Sequence, residues 1–357
     1  FMKTICFFIG NLNLSGGTER VSTIIANELS VQNYRIIFIS LYDGEKPFFS
    51  INKNIEFYSL FAKKTSFWKN YITAIFRLRK LIKQYKIDTL ISVESLISIF
   101  SIPATLCLKV KLICWEHFNF TVDLGVKLRQ VSRYMAALFC DYVVTLTETD
   151  KDIWTHKTIH LAKIISIHNP SSFTKTTHAP KFSNKTVITV GRYNYQKGFD
   201  LLVNAWAIAI NSAKDWKLRI IGDGDEKEKI FSLIKEKKVE DSIELISNTK
   251  QISTYYQTAT FYCMSSRFEG LPMVLLEAQS YNLPIISFNF QTGPKELIED
   301  TKDGILVPAE NIELLADAMV YLMNNPEVYE KMVKHLLLKE DKSFSIEYII
   351  NQWKTIL

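Results

Sequence analysis

Two glutamates, Glu269 and Glu277, flank the segment Gly270-Leu271-Pro272-Met273-Val274 in an E-x7-E arrangement. Pro272 stands where a first helical turn should begin, so the segment reads as the amino end of a helix entered from a strand that ends at Met264. Free backbone N–H groups at such an end receive a phosphate well. With an acid on either side, one carboxylate can hold the adjacent hydroxyls of a ribose, and the other the hydroxyls of a sugar across a diphosphate. A helix-capping glutamate beside an exposed one fits the same pattern. Upstream, Gly191-Arg192-Tyr193-Asn194-Tyr195-Gln196-Lys197-Gly198 follows another expected strand and puts Arg192 and Lys197 at the mouth of a helix. Two cations there suit a diphosphate, helped by the helix dipole. Two solvated surface cations are the plainer alternative. This is not a Walker loop, because G-x-x-x-x-G-K-[ST] is absent.

Three further places carry polar groups after expected strands. Gly16 and Gly17 open a helix and let a ligand approach backbone N–H groups, but the loop lacks the G-x-G-x-x-G spacing of dinucleotide binders. Glu116-His117 follows an apolar strand, and His117 can hydrogen-bond a sugar hydroxyl, carry a proton, or serve structurally. Gly222-Asp223-Gly224-Asp225 and Asp150-Lys151-Asp152 both contain the D-x-D triplet that holds divalent cations in many sugar-nucleotide enzymes. Aspartate is also favoured at helix starts, and both are read as caps, with no metal site expected.

Short apolar runs alternating with longer helical patterns must position these loops, and that alternation predicts parallel sheets built from βαβ units. Strands are expected near Lys3–Ile9, Arg35–Leu41, Thr89–Val93, Val110–Trp115 and Asp141–Leu146, with helices near Thr18–Ser30, Phe67–Lys86 and Val126–Phe139. A second series of strands is expected at Thr186–Val190, Lys217–Ile221, Ile243–Ile246, Phe261–Met264, Pro284–Ser287 and Gly304–Val307. Between the two lies Asn169–Asn184, rich in Ser, Thr, Pro and Lys, which reads as a linker. The expected fold is α/β, two doubly wound domains, with ligands beyond the carboxyl ends of the strands.

At 357 residues, 47% apolar and net +6, the chain has ample material for two cores, which excludes disorder and a single small module. Five cysteines without a C-x-x-C pair argue against a disulfide framework or zinc site. Ser95–Leu108, with Pro103 inside, is too short to span a bilayer. Ile5–Ile9 is too short for a signal peptide and reads as a buried strand. Charge is unevenly spread: residues 1–170 hold 21 basic against 13 acidic side chains, residues 171–357 hold 22 against 24. From Lys63 to Lys86 there are eight Lys or Arg and no acid, interleaved with apolar residues at helical spacing. Lys63, Lys64, Trp68, Lys69, Arg77, Arg79, Lys80 and Lys83 could therefore lie on anionic lipid. A core-facing helix with a solvated basic face is the alternative, and nucleic acid is disfavoured because the other motifs point elsewhere.

Taken together, Glu269 and Glu277, Gly191–Gly198, Gly16–Gly17, Glu116-His117 and Gly222-Asp223-Gly224 resemble the family 4 retaining glycosyltransferases of GT-B fold, in order and over nearly the whole chain. The sequence looks most similar to bacterial enzymes that extend polyprenyl-diphosphate-linked oligosaccharides, N-acetylgalactosaminyltransferases among them. The resemblance implies two Rossmann-like domains facing across a cleft: residues 1–170 binding acceptor, residues 171–340 binding nucleotide sugar, and a helix in 341–357 crossing back to the first domain. By fold-level analogy, Asn311–Asn324 and Ser345–Leu357 cross back, with Trp353 as anchor. It also implies that Arg192 and Lys197 bind the donor diphosphate, Glu277 the ribose, Glu269 the donor sugar and His117 the transferring sugar. Gly16–Gly17 would lie against the diphosphate or acceptor. Gln291-Thr292-Gly293-Pro294-Lys295-Glu296 departs from the family's common Gly-Gly-x-x-Glu at Pro294.

The implied reaction retains configuration, needs no cofactor or metal, and moves a hexose or N-acetylhexosamine, with UDP-GalNAc or UDP-GlcNAc favoured as donor. The acceptor would be a lipid-linked glycan or polysaccharide, at the cytoplasmic face of an anionic membrane. A nucleotide-sugar epimerase on the same scaffold, and a non-catalytic membrane or glycan-lipid binder, are the competing expectations.

Overall fold

In the computed structural model, which describes residues 2–64, 67–340 and 342–357, with backbone alone for Phe67 and Trp68, the chain divides into two compact units. The first runs to Pro170 and takes back Lys342–Leu357; the second begins at Ser171. In the first unit, β1 (Thr4–Ile9), α1 (Gly17–Ser30), β2 (Arg35–Ser40), β3 (Glu56–Ser59), α2 (Phe67–Gln84), β4 (Thr89–Val93) and α3 (Ser98–Thr105) are followed by β5 (Lys111–Trp115), α4 (Lys127–Phe139), β6 (Tyr142–Thr145), α5 (Glu148–Lys157) and β7 (Lys163–Ser166). The strands pair in parallel in the order β3-β2-β1-β4-β5-β6-β7. All six residues of β1 are buried, as a central strand covered on both faces requires.

The second unit contains β8 (Thr186–Val190), α6 (Phe199–Ala209), β9 (Lys217–Ile221), α7 (Lys227–Lys237), β10 (Ile243–Ile246), α8 (Ile252–Thr258), β11 (Phe261–Met264), α9 (Met273–Ser280), β12 (Ile285–Asn289), α10 (Pro294–Leu297), β13 (Gly304–Pro308), α11 (Ile312–Asn324) and α12 (Pro326–Leu338). Its parallel order is β10-β9-β8-β11-β12-β13. Each sheet thus has one point where the chain returns past its first strand and winds the other way: between β1 and β4 in one, between β8 and β11 in the other. Such switch points open a crevice at the carboxyl ends of the two strands.

The last helix, α13 (Ile346–Ile356), belongs to the first unit. Trp353 meets Trp115 edge-on at 4.9 Å between ring centroids, and Lys3 and Lys111 donate to the carbonyl oxygens of Leu357 and Ile356 at 2.8 and 2.9 Å. The return expected of Asn311–Asn324 does not occur. α11 buries Leu315, Ala316, Met319, Leu322 and Met323 and packs on α6, β12 and β13 of its own unit. Nor is Asn169–Asn184 a free linker, because Thr176 N–H donates to Ser280 O at 2.8 Å and Asn282 Nδ2 donates to the carbonyls of Thr176 and His178.

Candidate functional site

At the switch point of the second sheet, the loops after β8 and β11 are tied to each other. Arg267 donates to both carboxylate oxygens of Asp200 at 2.9 and 2.7 Å and to Tyr195 O at 2.8 Å, and lies 4.2 Å over the Tyr195 ring. Its backbone N–H donates to Gln196 O at 2.8 Å. Asn194 accepts from Lys197 N–H through its side chain and starts the single turn Tyr195–Lys197. Gly198 ends that turn at φ +62°, where a Cβ would collide with Ser265 O, so this close approach of the two loops requires glycine. The Lys197 stem lies against Gly191, where a Cβ would stand 2.9 Å from Lys197 Cε.

That path carries the Lys197 ammonium to Glu269, 2.6 Å from Oε1. Ser266 Oγ shares the same oxygen at 2.9 Å, and Gln196 Nε2 donates to Oε2 at 2.7 Å. The Glu269 carbonyl accepts from Thr292 Oγ1 at 2.7 Å, so the Gln291–Glu296 segment supports the acid from behind. Pro294, the departure from the family pattern, occupies the first turn of α10. Glu277 projects from the fifth position of α9, is 6% exposed, and accepts from Tyr256 Oη at 2.9 Å. The buried Tyr262 hydroxyl has its pKa raised, chiefly by burial, and further by the negative charge of Glu277 and Glu269. α9 begins at Met273, one residue later than expected; Pro272 is its cap residue, and no side chain caps this end. A fixed cation, two flanking carboxylates and an uncapped amino end surround the Gly270–Val274 segment, a combination suited to a diphosphate with sugar hydroxyls on either side.

Arg192 is not drawn into this group. It is exposed, its Cγ lies beside Gly224, and it makes no ion pair among the described residues. The first aspartate of each D-x-D triplet is otherwise engaged. Asp223 accepts from Lys227 Nζ at 2.8 Å and Asn248 N–H at 2.7 Å, ahead of α7. Asp150, in the first turn of α5 below its cap Thr147, accepts from Phe120 N–H at 2.8 Å; burial, more than any neighbouring charge, lifts its pKa to about 7.

In the first unit, Glu116 is fully buried and holds the start of its loop together. It accepts from Ser95 Oγ at 2.6 Å, from Arg133 Nε at 2.9 Å, and from the N–H groups of His117 and Phe118 at 3.0 and 3.1 Å. His117, 8% exposed and 4.4 Å from the Trp115 ring, has an Nε2 without a hydrogen-bond partner among the described residues. Burial depresses its pKa to about 4, so the imidazole is neutral near pH 7 and is a hydrogen-bonding group there rather than a charge carrier. Gly16 is the cap residue of α1 and Gly17 its first residue, with open space around the latter.

The basic segment forms α2 as expected, but its residues divide. Ala74, Leu78 and Ile82 face the core, while Ile72 and Phe76 are exposed at 61% and 67% alongside Lys69, Lys80 and Lys83. Lys63 and Lys64 are exposed too, and the Trp68 side chain lies outside the described residues. Arg77 and Arg79 are committed within the unit: Arg77 donates to Leu60 O and stacks on Phe61, and Arg79 donates to the carbonyls of Ala104 and Leu106. They are struck from the set available to lipid. No helix of the described residues is long and apolar enough to cross a membrane.

Two parallel, doubly wound units with polar loops at both switch points define a GT-B glycosyltransferase fold. Over 99% of both chains, TarM from S. aureus, solved as a mutant in complex with fondaparinux, α-GlcNAc-glycerol and UDP, superposes with a TM-score of 0.82 at 15% identity. Residues 173–336 match the family described as Glycosyl transferases group 1, and residues 15–171 match Glycosyltransferase Family 4. A relative from Haemophilus influenzae, an uncharacterized glycosyltransferase, is 40% identical over the full length of both chains. The amylovoran biosynthesis glycosyltransferase AmsD of Erwinia amylovora is 32% identical, again over both full lengths. An α-1,4-N-acetyl-D-galactosaminyltransferase of Campylobacter jejuni, whose name gives its acceptor as an undecaprenol-diphosphate-linked glycan, is 27% identical over 100% of this chain and 98% of its own. The chain belongs to the family 4 glycosyltransferases.

Several site residues were not legible beforehand. Gln196 and Ser266 stand beside residues already singled out, yet their bonds to Glu269 depend on how two loops meet. Tyr256 and Arg133 come from helices with no motif of their own. Only the Thr147-x-x-Asp150 capping pattern of α5 could have been read in advance.

Proposed function

We propose that the protein transfers a hexose or N-acetylhexosamine, with retention, from a UDP-sugar to a lipid-linked or polysaccharide acceptor during bacterial surface-glycan synthesis. The observation that carries this is the meeting of Lys197 with Glu269 beside the uncapped start of α9, with buried Glu277 on the same helix. Breaking the anomeric C–O bond builds positive charge on the sugar and negative charge on the departing diphosphate. Lys197 and the N–H groups of Met273 and Val274 receive that negative charge, with Arg192 swinging onto the outer phosphate and no metal ion required. Glu277 holds the ribose hydroxyls, oriented by Tyr256. Glu269 holds the donor sugar, and in the first unit neutral His117 offers a hydrogen bond to a sugar hydroxyl. The acceptor attacks from the leaving-group face, and the diphosphate takes its proton.

Support for the donor and acceptor classes comes from the relatives: the Campylobacter protein's name specifies N-acetylgalactosamine transfer to a lipid-linked glycan, and the AmsD name specifies polysaccharide biosynthesis. The exposed pair Ile72 and Phe76 with Lys69, Lys80 and Lys83 supports peripheral docking on an anionic membrane, where a lipid-linked acceptor resides. The test is incubation with UDP-GalNAc or UDP-GlcNAc and a short-chain polyprenyl-diphosphate glycan, in the presence of EDTA. Expected is an acceptor extended by one α-linked sugar. An isomerised nucleotide sugar formed without acceptor would establish an epimerase instead.

A further inference from the structure

At the switch point of the first sheet, Glu94 follows β4 directly with φ +91° and ψ 136°, a conformation that L side chains rarely adopt. Its N–H donates to Trp115 O at 2.8 Å, which sets it beside the loop that carries Glu116 and His117. Its charge, with those of Asp43 and Glu19, is also felt by the Tyr42 hydroxyl, whose pKa is raised first by burial and then by these acids. Glu94 thus stands beside the loop that follows β5 and within electrostatic reach of Tyr42 in the loop after β2.

Its partner is Arg129 of α4, whose Nη1 donates to Glu94 Oε1 and whose guanidinium lies 4.7 Å over the Phe118 ring. The contrast with Arg133, one turn further along the same helix, is informative. Arg133 is fully buried and donates to Glu116, Phe120 O, Gln130 and Val122 O, which satisfies all its nitrogens. Arg129 is 5% exposed, yet Glu94 is its one hydrogen-bond acceptor among the described residues, and its buried Nε has none. A buried guanidinium so far below its capacity is a costly arrangement, and such deficits call for a ligand. The Glu94 side chain retains 24% exposure, and its Oε2 has no partner among the described residues. A carboxylate oxygen and guanidinium donors, both with unused capacity and next to an aromatic ring, match the vicinal hydroxyls of a pyranose. One hydroxyl donates to the acid, and its neighbour accepts from the guanidinium.

We propose that Glu94 and Arg129 form the subsite that binds the terminal sugar of the glycan acceptor, Glu94 Oε2 accepting from one ring hydroxyl and Arg129 donating to the next. This rests on the reading of the protein as a glycosyltransferase with a glycan acceptor. Arg133 and Glu116 fix the floor on which the pair stands and do not touch the sugar.

The experiment is saturation-transfer NMR on the full chain with p-nitrophenyl α-N-acetylgalactosaminide as probe and UDP present, comparing wild type with Glu94→Gln. The amide keeps an oxygen for Arg129 while removing the charge that grips a hydroxyl. Expected are ring-proton signals in wild type and about tenfold weaker probe binding in the variant, with UDP binding unchanged. Equal probe affinity in both proteins, or no probe signal in a wild type that binds UDP, would overturn the proposal. So would loss of UDP and probe together in the variant, which would mark Glu94 as structural. A wild type that binds no UDP would instead defeat the donor reading, and this inference would fall with it.

Discussion

Replacing Lys197 with methionine keeps the stem that packs on Gly191 and removes only the ammonium. Two consequences can be separated. Lys197 and Glu269 side chains are 17% and 10% exposed, so their ion pair is largely shielded from water. Losing one partner of such a pair costs up to about 3–5 kcal/mol when the other is left stranded. Here Gln196 and Ser266 still hold Glu269, so a loss of about 1–3 kcal/mol in the stability of the second unit is expected. The double variant Lys197→Met/Glu269→Gln should recover most of it, since no unpaired charge remains. Donor binding should not recover. A hydrogen bond to a charged group is worth about 1.5–3 kcal/mol, so UDP affinity should fall by roughly 10- to 150-fold in the single and double variants alike. Thermal denaturation gives the first quantity and calorimetric titration with UDP the second. If Lys197→Met is destabilised but binds UDP as wild type does, Lys197 is a clip between two loops and the diphosphate assignment fails.

The pH dependence of the first unit's stability should carry two buried groups of opposite sign. The His117 pKa lies near 4 when folded, so its contribution is full above its unfolded value of about 6.5 and lost as pH falls toward 4. The Asp150 pKa lies near 7 when folded, so its contribution is full below about 3.9 and lost as pH rises to 7. The two nearly cancel between pH 4 and 6.5. In urea denaturation at a series of pH values, Asp150→Asn should gain stability with rising pH by up to about 1.4 kcal/mol per unit, and His117→Asn should lose it; parallel profiles in all three proteins would contradict this. Tyr256→Phe removes the hydroxyl that orients Glu277 and should weaken UDP binding about 5- to 20-fold by calorimetry, whereas unchanged affinity would remove Glu277 from the ribose. Gly198→Ala should cost about 2–4 kcal/mol in thermal stability, because φ +62° and Ser265 O both oppose a side chain; a wild-type melting temperature would show that the two loops are not held as described.

Short, mainly apolar runs announce their strands: Thr89–Val93, Thr186–Val190, Lys217–Ile221, Ile243–Ile246 and Phe261–Met264 were each expected at their observed limits. β3 and β7 were missed because Glu-Phe-Tyr-Ser and Lys-Ile-Ile-Ser each hold only two apolar residues, whereas the equally short edge strand β10 holds three. α3 was hidden by Pro103 inside it, and α5 by a nearly all-polar composition in which Trp154 is the main buried anchor. Within the site, Lys197, Glu269 and Glu277 were legible because each stands in a short local motif. Arg192 was legible only as a cation near a helix start, since nothing in the spacing fixes the direction of an exposed side chain. Glu94 was invisible, since a positive φ leaves no trace in the string Val-Glu-Ser, and its partner Arg129 lies on a distant helix.

If the second unit holds a nucleoside diphosphate sugar and stabilises its departing diphosphate with Lys197, turnover must depend on that ammonium. Nucleoside diphosphate release from a panel of UDP- and GDP-sugars, measured for wild type and Lys197→Ala, tests it most directly. Selective UDP release from one or two UDP-sugars, falling by at least about 100-fold in the variant, is the predicted result. Release from none of the donors, or equal release by both proteins, would contradict it.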